Sequence, residues 1–572
     1  MNPLLDDNEL PLFNKIKPEL IKPAIEAILK ENRKKIERLE QLKDASWETF
    51  IEPLELMDDR LSKVWSPVRH LNSVKSSDEL RDVYTECQQL LSDYSTEYGQ
   101  NQKLFKIYEQ LVEDDKFTDL CSAKQKTLKD ALLYFRLGGV DLSTQDKKKF
   151  QIIQKRLSEL KTKFENNVLD STQFWHLNLA DKSRLGGLPD YALSMLEQTA
   201  QQKSLSGYSL TLDMPCYIAV ITYADDRDLR QDIYQAFSTR ASDQGITDKK
   251  WDNADLLVEI LQLRQKKAQL LGFEHYADLS LQTKMAESYD EVINFLTELA
   301  TKAQSAAKQD VQQLRQFASE EGFREELAAW DVAYYSEKLK QKRYQISEQE
   351  LKPYFAENNV VQGLFKIVEK LYQIKITQFE DGVELWNEDV KFFQIHDAKG
   401  QLCGKFYLDL YTRTGKRGGA WMDVCVNRYR IKGKIQHPVA YLTCNLTPPV
   451  GEEPALFTHN EVITLFHEFG HGLHHMLTKV DVPEVSGISG VEWDAVELPS
   501  QFMENYCWEK EALDLFAQHY KTSEPLSDDL YQKMIKAKNF QSAMQMLRQI
   551  EFSLFDMEIH KKTDINSAVQ VQ

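Results

Sequence analysis

Long runs rich in Glu, Lys, Gln, Leu and Ala, interrupted by only 22 glycines and 16 prolines in 572 residues, leave this chain little to become except a mostly helical body. Apolar residues recur at helical spacing in 20–43, 146–167, 255–271, 289–317 and 530–560, so each of these stretches is read as one helix. No repeat of fixed period is present, which argues against a solenoid. The pattern changes between Val390 and Asn445. There the apolar runs shorten to VKFFQIHD, KFYLDLY, WMDVCVN and VAYLTCN, separated by turn residues at 397–400, 415–419 and Gly433. These runs predict a small β-sheet inserted in the helical body. A softer boundary at SRLGGLPD (183–190) divides the chain into an N-terminal helical domain, 1–190, and a second domain, 191–572.

With 71 basic and 89 acidic residues the net charge is −18, which repels nucleic acid and anionic membrane, so neither is expected as a partner. The start, MNPLLDDNELPLF, has acids where a secretory signal has lysine or arginine, and no stretch has the ~18 apolar residues of a membrane span. Seven scattered cysteines without a CxxC read as reduced thiols in a cytoplasmic protein.

The chemistry is concentrated in THNEVITLFHEFGHGLHHML, 458–477. Thr458 and Glu461 have the spacing of a capping box, so a helix starts here. Val462, Phe466, Phe469, Leu473 and Met476 fall on one side of it, and His467 and His471 roughly opposite. Histidines at i and i+4 can converge on one ion, and Zn²⁺ accepts imidazole with carboxylate while leaving a position for water. Glu468, beside the first histidine, is placed for a general base. The continuation is not HxxGxxH, because His474 and Leu477 stand at those positions, so the HExxHxxGxxH plan is excluded. The remaining plan takes a carboxylate from a following helix, and Glu484, Glu492, Asp494, Glu497 and Glu504 all qualify by spacing. Pro499 suits a first helical turn, which puts Glu497 at that helix's start. His474 and His475 are read as polar residues lining the same groove, with ligation or hydrogen bonding to a ligand as the alternative.

The segments FHEFGHGLHHML and GVEWDAVELPSQFMENYCWE resemble the thimet oligopeptidase family of zinc peptidases. SPVRHLNSV, FRLGGVDL, KAQLLGFEHYADLSLQTKMA, AAWDVAYYSEKLK, GKRGGAWMD and PVAYLTCNLTPP extend the resemblance over essentially the whole chain. It implies a mainly α, two-lobed helical metallopeptidase with a deep channel and a small β-sheet near the zinc site. It places one Zn²⁺ on His467, His471 and Glu497, with Glu468 as general base. It also implies that an edge strand, Ala440, Tyr441, Leu442 and Thr443 onward, pairs with the substrate backbone, and that the loop carrying Gly418 and Gly419 is a flexible part of the channel. The implied activity is endopeptidase cleavage of short unfolded peptides by a monomer. A dipeptidyl carboxypeptidase of the same family is an alternative. The family's pattern continues into a glycine-rich loop, near HxFxGGYxAGYY, whose His and Tyr serve the oxyanion. The last glycine here is Gly490, so the chain is expected to be a C-terminally truncated member. A further alternative is therefore a zinc- or peptide-binding remnant with impaired turnover.

Overall fold

Amphipathic runs with polar caps become helices in the computed structural model, which describes residues 2–6, 8–246, 249–431 and 433–562. The closing INSAVQVQ lies outside the described residues. Four of the expected helices form nearly as read, as Pro18–Leu39, Thr144–Phe174, Ala254–Leu270 and Tyr289–Glu320. The fifth divides into Asp528–Ala537 and Ser542–Lys561. Gln541 between them sits at φ +56°, a left-handed conformation that an uninterrupted α-helix does not contain.

The sheet has five strands: β1 (Ile374–Gln378), β2 (Lys391–Asp397), β3 (Leu402–Tyr411), β4 (Trp421–Val426) and β5 (Val439–Leu446). Their spatial order is β1-β2-β3-β5-β4, antiparallel except for the parallel pair β3–β5. The segments from β2 onward were legible as apolar runs. Strand β1 and the small hairpins His176–Leu179/Tyr208–Thr211 and Tyr429–Ile431/Lys434–Gln436 were not, because runs of three to five residues carry too little periodicity.

Alternation along the strands explains where the sheet sits. Phe392, Tyr407 and Tyr441 join a core with the N-terminal helices, whereas Phe393, Phe406, Leu408, Ala440 and Leu442 join a second core. That second core is closed by the helix Glu357–Tyr372 and by the motif helix His459–Met476. Successive residues of one strand face opposite layers, so the sheet is buried on both faces and is the wall between two helical masses. A smaller core holds Leu185, Leu188 and residues through Ala236.

The buried carboxylate of Asp409 at the end of β3 ties sheet to loop. It accepts hydrogen bonds from Trp386 at 2.9 Å, Arg413 at 2.6 Å and Lys416 at 2.8 Å. Burial alone would raise this carboxyl, but the Arg413 and Lys416 cations outweigh it and hold the group below its ordinary value. All seven cysteines are unpaired thiols. Among the described residues no helix is long and apolar enough to cross a membrane.

Candidate metal centre and active site

The motif helix starts where its sequence says it should. Thr458 Oγ1 accepts from the Glu461 amide, and the Glu461 side chain reaches back to the Thr458 amide at 2.7 Å. The other oxygen of Glu461 accepts from the Thr447 amide and hydroxyl, so the cap also fastens the helix to the end of β5. Val462, Phe466, Phe469, Leu473 and Met476 are buried in the second core, which turns His467 and His471 away from it. Their rings stand 5.0 Å apart, centroid to centroid.

Glu497 occupies the N-cap position of a short helix, Leu498–Glu504, with Pro499 in its first turn. One of its oxygens, Oε2, lies 3.1 Å from His467 Nε2 and 3.1 Å from His471 Nε2. Ser500 Oγ donates to that same oxygen at 2.8 Å and holds the carboxylate toward the rings. Gly470 lets the two helices meet: a Cβ there would stand 2.6 Å from Pro499 O and from Ser500 Cα.

The donor set fits a cation. His467 Nδ1 lies 2.7 Å from Glu504 Oε1. With that ring neutral its proton sits on Nδ1 toward Glu504, and Nε2 faces Glu497 as a lone pair, the form in which an imidazole binds a metal. Metal bonds of about 2.0–2.1 Å at tetrahedral angles put neighbouring donor atoms about 3.3 Å apart, close to the observed spacing. His467, His471 and Glu497 are the one such group found among the described residues.

The rival acids are engaged elsewhere. Glu492 is paired with Lys126 at 3.1 Å, and Asp494 accepts the Met285 and Ala286 amides. Glu484 is close enough to Glu55 for its charge to raise that carboxyl, and Glu504 is the partner of His467. Spacing marked Glu504 only as a candidate ligand; its reach to His467 required the turn between the two helices. Ser500 carried no signal at all.

Glu468 is 6% exposed. Burial pushes its carboxyl up to about 7; His467 opposes this, Glu497 adds to it, and the Met422 amide facing the carboxyl lowers it again. A carboxyl of this kind can take up and release a proton near neutral pH.

Two sequence-based expectations differ from the structure. Ala440, Tyr441, Leu442 and Thr443 do not form an edge. β5 is hydrogen-bonded to β3 on one side and β4 on the other, and all four residues are fully buried. The edge on that side of the sheet belongs to β4, because the chain inserts β4 antiparallel outside β5. On β4, Ser66 Oγ covers the Val424 carbonyl, and Trp421–Asp423 pair with β5 on one side and with no strand on the other among the described residues. His475 does not line the groove. It is fully buried, with Nε2 3.0 Å from the Val426 carbonyl, and burial pushes its pKa down to about 4; only His474 stays half-exposed. The loop 415–419 is anchored at its base, where Gly415 accepts from the Ser76 amide, Arg417 donates to the Ser73 carbonyl and Lys416 is buried on Asp409. Its open part is Gly418–Gly419, whose Cβ positions meet nothing within 4 Å, although Asn445 Nδ2 donates to the Gly419 carbonyl.

Comparison with known proteins matches residues 220–571 to the family described as Peptidase family M3, and residues 25–148 to the Neurolysin/Thimet oligopeptidase N-terminal domain. Oligopeptidase A of Haemophilus influenzae is 49% identical over 571 residues, covering 100% of this chain and 84% of that protein. Oligopeptidase A of Escherichia coli is 51% identical over 98% of this chain and 82% of its own length. Among solved structures, one described as an oligoendopeptidase F from Bacillus anthracis superposes with a TM-score of 0.55. It is 13% identical, covers 96% of this chain and 80% of that one, and supports the fold alone.

Proposed function

The chain belongs to peptidase family M3 and is thereby a metallopeptidase, and from that premise we propose that it is a zinc-dependent endopeptidase of short, unfolded peptides. The observation that carries this reading is the meeting of one Glu497 oxygen with both motif imidazoles at 3.1 Å. His467, His471 and Glu497 would hold the ion, with Glu504 and Ser500 fixing the first and last of these. A bound Zn²⁺ would supply an electrophile for the scissile carbonyl and lower the pKa of a water molecule. Glu468 takes the proton from the attacking water and passes it to the leaving amine. The substrate main chain lies along Trp421–Asp423, whose unpaired edge can accept a strand of any sequence. The division into 1–190 and 191–572, a monomeric state and a cytoplasmic location belong to the same reading.

The test is metal analysis of the purified chain beside cleavage of a quenched peptide. Wild type should carry one zinc and cleave. Glu468→Gln should keep the zinc and lose about 10²–10⁴ in rate, the usual contribution of a positioned acid–base. Zinc binding with no cleavage by the wild type would favour the binding-remnant reading. Release of dipeptides only from the C-terminus would favour dipeptidyl carboxypeptidase.

A further inference from the structure

A cavity of about 1000 Å³ opens between the helix Ala254–Leu270, the N-terminal helices and the start of β4. The chain carries a net charge of −18, yet this wall gathers Arg69, Lys161, Arg264, Lys267 and Arg417 against only two acids, Glu165 and Asp423. Both acids are engaged locally: Asp423 lies 2.7 Å from Arg69, and Glu165 lies 4.0 Å from Lys161.

Arg264, Lys267 and Arg417 remain, and among the described residues none has a carboxylate within ion-pair distance. Arg264 Nη1 donates to His560 Nε2 at 2.7 Å, a ring whose Nδ1 faces the Asp556 carbonyl at 2.8 Å and the Asp556 carboxylate at 3.3 Å. The Arg417 guanidinium lies 4.5 Å over the Trp421 ring, and the Lys267 ammonium lies 5.5 Å from the Phe150 ring. Such contacts orient a cation without neutralising it. Burial, with Arg264 adding, pushes the Lys267 ammonium down to about 8, as expected for a desolvated cation without a counter-ion. The cavity borders the site at Met422, which lines it and whose amide faces the Glu468 carboxyl.

We infer that this cavity is a subsite for a carboxylate of the peptide substrate, with Lys267, Arg264 and Arg417 as its cationic partners. The inference rests on the peptidase reading above. The carboxylate can be the peptide's C-terminus or an Asp or Glu side chain, and the two differ in what abolishes binding.

The experiment uses the full zinc-loaded chain and quenched peptides in two pairs. One pair differs only in a C-terminal acid or amide, the other only in an internal Glu or Gln. Wild type is compared with Lys267→Gln, with Arg417→Gln and with Lys308→Gln, an exposed control on the helix Tyr289–Glu320. One charge-assisted hydrogen bond lost should cost about tenfold in kcat/KM, carried by KM, for the charged member of the preferred pair. Either cavity variant should make that pair equivalent, and Lys308→Gln should leave the preference intact. Preference within the first pair assigns the C-terminus; preference within the second assigns a side chain. Cleavage with no preference in either pair, or a preference that both cavity variants retain, overturns the subsite while the peptidase reading stands. If the wild type cleaves nothing, that reading falls, and fluorescence-polarisation binding of the same pairs decides the subsite alone: tighter binding of a charged peptide supports it, and equal binding removes it.

Discussion

Gly470 is where the proposed metal centre depends on the absence of a side chain. Gly470→Ala adds one methyl group at the crossing of the motif helix and the helix Leu498–Glu504. Ordinary contacts begin at 3.4 Å, and the new Cβ would stand 2.6 Å from Pro499 O and Ser500 Cα, so the helices must part by roughly 0.8 Å. Backbone atoms cannot rotate away as a side chain would. Metal–ligand distances tolerate only about ±0.2 Å, so a displacement of this size takes Glu497 out of reach of a shared ion. Overpacking of this kind costs about 1–3 kcal/mol, equivalent to roughly 10- to 100-fold in zinc affinity if the strain is released at the site. Gly472→Ala is the control on the same helix. Its Cβ would meet only the tips of Leu442 and Met476, the nearest at 2.9 Å, which can yield. Both substitutions gain about 1 kcal/mol of helix propensity, so any difference between them comes from the crossing. Competition against a chromophoric chelator measures zinc affinity, and a thermal melt of the metal-free chains verifies folding. Wild-type zinc affinity in Gly470→Ala would refute the argument that this close approach sets the ligand geometry.

Glu504→Ala removes the acceptor of the His467 Nδ1 proton and should weaken zinc binding about 10- to 100-fold with folding retained; unchanged affinity in the same chelator assay would contradict the role given to Glu504. Asp409→Asn leaves Arg413 and fully buried Lys416 without their counter-ion, and should lower stability by about 3–5 kcal/mol in urea unfolding; a loss below 1 kcal/mol would mean the cluster is not held by charge. Glu55, 3% exposed, has its carboxyl pushed up to about 8 by burial, then by Glu484, opposed by Tyr429, with Asp58 adding and Lys124 opposing. The folded chain keeps this proton up to about pH 8 while the unfolded chain releases it near 4.5, so the stability it contributes is complete below 4.5 and is lost as pH rises toward 8. Glu55→Gln, which cannot ionise, should therefore match wild type near pH 4.5 and exceed it at pH 8 by on the order of 4 kcal/mol; parallel stability–pH curves would rule this out.

How much could be read beforehand followed the range of the interactions involved. The cap at Thr458–Glu461, the apolar side from Val462 to Met476 and the convergence of His467 with His471 are properties of a single helix, whose 3.6-residue turn is set by local backbone geometry. The same holds for the helices at 18–39 and 289–320 and for the alternating runs that became β2 to β5. Resemblance to a family supplied Glu497, which spacing alone left among five acids. The turn joining the two site helices decided that Glu504 reaches Nδ1 of His467, that Ser500 steadies Glu497 and that Gly470 must be bare. Strand order decided that Trp421–Asp423, not Ala440–Thr443, presents an open edge, because alternation tells which way a side chain points but not which strand lies outside it. His475 looked like its neighbour His474 in the sequence, yet 100° of helix rotation turned it inward onto Val426. Local periodicity thus determined the elements and two of the three candidate metal-ligating residues. Closure of the chain over long distances determined what those elements meet, since no period in the sequence encodes which surfaces come into contact.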